Sequence, residues 1–126
     1  MTARIAQLTL DAHDVALQCS FWSRALGLET DLGDDGSAKL YPPADAPPGD
    51  VTIWLQPVSE PKQEKLRLHL DLRPEDGDVE AEVRRLEDLG ASRADVGQTG
   101  EESFTVLADP EGNEFCVLHV EPRRSR

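Results

Sequence analysis

This chain marks out the same element twice. Asp14-Val15 opens one stretch of helical spacing and Leu26-Gly27 closes it, and Asp78-Val79 and Leu89-Gly90 bracket a second. From capping Asp to stopping Gly the distance is 13 residues in the first copy and 12 in the second. An aspartate carboxylate accepts from the orphan amides of a first helical turn, and glycine takes the positive φ that ends a helix. An alternating segment precedes each helix and three strand-like segments follow it, so the chain reads as a duplicated βαβββ unit. The modules are expected at about 1–60 and 61–126. One helix can cover one face of a module's sheet, and the other face needs a partner. The expected fold class is therefore α+β, two βαβββ modules forming a curled mixed sheet around a cleft.

In the first copy, Ile5–Leu10 alternates as a strand with Ile5, Gln7 and Thr9 on one face. Val15, Cys19, Trp22 and Leu26 recur at steps of four, three and four, which is one buried helical stripe. Glu29–Leu32, Ala38–Tyr41 and Val51–Gln56 are the strands that follow, the last with Trp54 and Gln56 sharing a face. In the second copy, Lys65–Leu72 sets four leucines against Lys65, Arg67, His69 and Asp71. Val79, Val83, Leu86 and Leu89 form the next helical stripe, with Glu80 and Glu82 at its positive end. The later strands are Ser92–Val96, Ser103–Leu107 and Asn113–Val120. Before the last of them stands Asp109-Pro110-Glu111-Gly112-Asn113, a turn in which proline sets the first corner and Gly112 or Asn113 takes a positive φ. Beyond it Phe115 and Val117 point one way, and Glu114, Cys116 and Leu118 the other.

Charge narrows the partners. A formal net charge of −12, with three of the basic residues in the tail Arg123-Arg124-Ser125-Arg126, repels phosphate backbones and argues against nucleic acid. No run approaches the roughly 20 apolar residues that cross a bilayer, and the opening residues lack the apolar core of a secretion signal. The expectation is a cytoplasmic protein with no membrane partner, whose two cysteines, Cys19 and Cys116, are free thiols. No serine sits in a nucleophile elbow, and no glycine loop is built to cradle phosphate.

The duplicated unit, the Asp-Pro-Glu-Gly-Asn turn and Leu89-Gly90-Ala91 after the second helix together resemble the vicinal oxygen chelate superfamily. That group includes glyoxalase I, extradiol dioxygenases, methylmalonyl-CoA epimerase, and fosfomycin and bleomycin resistance proteins. The match looks best to its small glyoxalase-like members and spans essentially the whole chain. Metal-dependent members hold Fe, Mn, Ni, Co or Zn with side chains from four cleft-facing strands. On the matching positions the resemblance implies Gln7 from the first strand, His69 at the histidine position, Trp54 or Gln56 in the first module's last strand, and Cys116 on the final strand. The last position is a departure, since metal-dependent members usually carry glutamate there.

Each of these residues has more than one reading. His69 is a metal ligand, a general base, or a polar cleft residue held by Asp71. Cys116 is a soft ligand, a reactive thiol or a small buried hydrophobe. Gln7, Thr9, Trp54, Gln56, Arg67, Asp71 and Cys116 are the expected substrate contacts, with Arg67 anchoring an anionic group. The expected metal set is His69, Gln7 and Cys116. By resemblance, the chain is a glyoxalase-like protein binding a small organic molecule in its cleft, either a metal-dependent lyase or isomerase with His69 as its catalytic residue, or a metal-free protein sequestering a toxic or antibiotic compound. Resemblance also implies a homodimer.

Overall fold

The computed structural model describes residues 1–122, which leaves the basic tail at 123–126 outside the described residues. The chain divides into two compact units, Met1–Lys62 and Gln63–Arg126. Each holds one helix and one four-stranded mixed sheet, so the architecture is α+β with the βαβββ order repeated.

In the first unit β1 (Gln7–Ala12), α1 (Val15–Leu26), β2 (Glu29–Leu32), β3 (Ala38–Tyr41) and β4 (Thr52–Pro57) follow one another, and the sheet order is β1-β4-β3-β2. β1 runs parallel to β4, a pairing that the intervening helix and two strands make room for, while β4, β3 and β2 form an antiparallel meander. Asp14 caps α1, its Oδ1 accepting from the Leu17 amide at 3.1 Å, and Gly27 closes it at φ 66°. The buried stripe of α1 is wider than its four-residue spacing suggests. Gln18, Phe21 and Ala25 are buried beside Cys19 and Trp22, because the helix lies flat on β3 and β4. Phe21 and Trp22 meet edge to face with ring centroids 5.0 Å apart. Beneath them Leu40, Ile53 and Leu55 are almost wholly enclosed.

The second unit carries β5 (Asp71–Leu72), α2 (Val79–Leu89), β6 (Ser92–Arg93), β7 (Phe104–Ala108) and β8 (Glu114–Leu118), in the order β5-β8-β7-β6. Asp78 caps α2 by accepting from the Ala81 amide at 3.1 Å. Val83 and Leu86 turn inward from α2, which packs on β8, where Phe115 and Val117 are buried.

Two strands are shorter than their alternation predicts. Within Lys65–Leu72 only Asp71–Leu72 is strand, preceded by one ladder bond from the Cys116 amide to the Leu70 carbonyl at 2.9 Å. Earlier, the Leu66 amide is taken by the Glu114 carboxylate at 3.0 Å instead of a ladder carbonyl, and Leu68 turns out to 78% exposure. Ser92–Val96 is strand only over Ser92–Arg93; one more bond follows, from the Ala94 amide to the Val106 carbonyl at 3.2 Å, and the Val96 amide then bonds the Gln98 side chain at 2.7 Å, a local competitor to pairing. β1 lies two residues later than its alternation suggests, leaving Ile5 exposed.

The turn between β7 and β8 is built around one buried carboxylate. Asp109 Oδ1 accepts from the amides of Glu111 (2.9 Å) and Asn113 (3.0 Å), and Oδ2 accepts from Asn113 Nδ2 at 2.9 Å. The backbone closes the same loop, Gly112 N–H donating to the Asp109 carbonyl and Asp109 N–H to that of Asn113. Gly112, at φ 90°, takes the left-handed corner. This turn sets the β7–β8 register and hence which side chains share a face.

Candidate functional site

The face of the second sheet opposite α2 is where chemistry collects. On β8 this face carries Glu114, Cys116 and Leu118, and the antiparallel register sets Val106 opposite Cys116 and Phe104 opposite Leu118. Across the parallel pair, Asp71 is the partner of Cys116. With Lys65, His69 and Val96 these residues line a pocket of about 170 Å³. Phe104, Val106 and Leu118 make an apolar wall, and the polar groups come from β8, β5 and the segment leading into β5.

Asp71 is the hub. The His69 Nδ1 and Asp71 Oδ1 atoms are 3.3 Å apart, both side chains partly open to solvent. An ionised carboxylate can only accept, so in this contact the imidazole donates from Nδ1. Cys116, 6% exposed, stands opposite Asp71 across the parallel pair, its Sγ within 4.8 Å of an Asp71 carboxylate oxygen. Burial, and after it the Asp71 charge and hydrogen bond, push the thiol pKa from 9.0 up to about 11, against a weaker opposing pull from Lys65. The thiol is therefore protonated at neutral pH in the metal-free protein, and is a poor nucleophile.

A pH dependence follows. The folded state resists ionising Cys116 more than the unfolded chain does, so the stability this group contributes is complete below pH 9 and is lost as pH rises toward 11. Burial also raises the pKa of Cys19, so wild type alone does not isolate the effect. Melting temperature followed from pH 8 to 11 in chelator-treated protein is expected to fall more steeply in wild type than in Cys116→Ser. Parallel curves would mean that Asp71 and burial do not hold the thiol proton.

His69 Nδ1 or Nε2, an Asp71 carboxylate oxygen and Cys116 Sγ all lie within 4.8 Å of one another. Of the residues expected at the site, His69, Asp71 and Cys116 thus come together in the second unit. Arg67 is exposed and outside the described lining of the pocket, where Lys65 supplies the cation. Gln7, Thr9, Trp54 and Gln56 belong to the first unit. Gln7 and Thr9 stand on the exposed face of β1, Thr9 registers with Trp54, and the Trp54 indole N–H donates to Gln56 Oε1 at 3.1 Å. His119 bonds the Thr105 hydroxyl at 2.8 Å, outside the described pocket lining. The apolar wall escaped sequence reasoning, although alternation in Phe104-Thr105-Val106 and the short turn before β8 together carry the signal.

A family model described as glyoxalase-like domain matches residues 7–118. No curated protein sequence matches the chain. Among solved structures, a mutant of the fosfomycin resistance protein FosX from Listeria monocytogenes, complexed with Mn(II) and 1S,2S-dihydroxypropylphosphonic acid, aligns with TM-score 0.72 at 14% identity, over 94% of this chain and 91% of that one. FosX from Mesorhizobium loti aligns with TM-score 0.70 at 13% identity, over 96% and 94%. A glyoxalase/bleomycin resistance protein/dioxygenase family enzyme from Burkholderia phytofirmans aligns with TM-score 0.68 at 15% identity, over 91% and 97%. At such identities the likeness is one of fold.

Proposed function

Since the chain belongs to the glyoxalase-like domain family, we propose that it binds a small organic molecule in the second unit's pocket and acts on it as a metal-dependent lyase or isomerase. The observation that supports this reading is the convergence of His69, Asp71 and Cys116 beside an apolar wall. Imidazole, carboxylate and thiolate are all ligands of divalent transition ions, so the donor set fits such an ion. His69, Asp71 and Cys116 would hold it, and when bound it would supply Lewis-acid polarisation of a substrate oxygen.

The remaining work falls to the chain's own groups. Phe104, Val106 and Leu118 exclude water from one side of the ligand and take its apolar part. Lys65 at the rim attracts an anionic group. Glu114, held through its bond to the Leu66 amide, adds a second carboxylate to the pocket lining, a group able to take or give a substrate proton. A space of about 170 Å³ suits a small molecule rather than a polymer. A homodimer in the cytoplasm is the proposed state, and elution at the 13.9 kDa monomer mass would remove the dimer.

Elemental analysis of the purified protein, followed by calorimetry with small oxygen-rich acids, tests the reading. Binding of such an acid that strengthens with a stoichiometric transition ion supports it. Tight binding of cationic aromatic compounds with no dependence on any ion would replace it with metal-free sequestration.

A further inference from the structure

We infer that Cys116 makes this a thiolate centre, selective for zinc-class ions over manganese, with Asp71 as a ligand beside it. This rests on reading the pocket as a ligand site, and adds which ion the chain's own donors choose and which residues choose it.

Zinc-class bonds of about 2.0–2.3 Å put tetrahedral donors roughly 3.5 Å apart. The three donors here already lie within 4.8 Å of one another without an ion. Only one of them is fixed. Cys116 sits inside β8, paired to Val106 on one side and to Asp71 on the other, and is buried. The His69 and Asp71 side chains are 38% and 45% exposed, and His69 lies outside regular strand, so rotation about their side-chain bonds closes the remaining gap without moving the sheet. A rigid sulfur floor with two adjustable rim ligands is a workable three-donor site, and the pocket beside it leaves room for a further ligand.

Sulfur decides the selectivity. Thiolate is a soft ligand that favours zinc and cobalt, whereas manganese favours carboxylate, carbonyl and water oxygens. Any nitrogen and oxygen site binds zinc more tightly than manganese, so the ratio alone proves little. The discriminating quantity is how that ratio changes when sulfur is removed. A glutamate at the position of Cys116 would give an all nitrogen and oxygen set. The thiol therefore separates this chain from a manganese-type site.

The test uses the full-length protein stripped of metal, with the ions alone as ligands. Addition of Co²⁺ is expected to give the near-ultraviolet thiolate-to-cobalt charge-transfer band, and Zn²⁺ to abolish it by displacement. In Cys116→Ser the band is absent, zinc affinity falls at least about 100-fold, and manganese affinity stays within about threefold. Asp71→Asn keeps the band but weakens zinc by about tenfold or more. Cobalt bound to wild type without a charge-transfer band would overturn the thiolate assignment whether or not the serine variant folds. Equal losses of zinc and manganese in Cys116→Ser would overturn the selectivity. Either failure leaves the small-molecule reading standing. That reading fails separately, if small oxygen-rich acids do not bind with any ion present.

Discussion

Replacing Asp109 with alanine is expected to lower folding stability by about 3–5 kcal/mol. Its carboxylate is 3% exposed and accepts from the Glu111 amide, the Asn113 amide and Asn113 Nδ2. Hydrogen bonds to a charged group contribute about 1.5–3 kcal/mol each, and donors left buried without an acceptor add their own desolvation cost. The three bonds share one carboxylate, so they do not sum fully. Asp109→Asn keeps one acceptor oxygen and should lose less, about 1–2 kcal/mol. Urea denaturation of both variants measures this. A loss below about 1 kcal/mol for alanine would show that the backbone bonds and Gly112 hold the turn without the carboxylate. Because the turn sets the β7–β8 register, the alanine variant should also weaken binding in the pocket.

His69→Ala should do the reverse, sparing the fold and removing the site. The side chain is partly exposed and contributes one contact to Asp71, so stability should stay within about 0.5 kcal/mol of wild type. Divalent-ion affinity should fall by about 100-fold or more, since only two of the three converging donors remain. His119→Ala is the matched control. It loses a bond to Thr105 and touches none of the three donors, so its ion affinity should equal wild type. Isothermal titration on the three proteins separates the cases, and unchanged affinity in His69→Ala would remove that residue from the site.

The parts of the fold legible in the sequence are those governed by short-range chemistry. Asp14 with Gly27 and Asp78 with Gly90 bound the helices because a cap is a contact across three residues. The Asp109 turn is legible for the same reason, with the structure choosing Gly112 over Asn113 for the left-handed corner. Strand limits were less legible. Alternation through Lys65–Leu72 is a local pattern, but pairing depends on partners far along the chain, and the Leu66 amide finds the side chain of Glu114. Two of the three site donors stand at positions carried by family resemblance, His69 and Cys116. Asp71 shares a strand face with His69 in the sequence, but its registration against Cys116 is a tertiary fact. The apolar wall needed the same register before Val106 could be set beside the thiol.

The most direct measurement is anomalous diffraction from crystals grown with Co²⁺ or Zn²⁺. A single strong peak is expected within bonding distance of Cys116 Sγ, an Asp71 oxygen and a His69 nitrogen. A peak elsewhere, or ion-loaded crystals with nothing bound between those three side chains, would contradict that expectation.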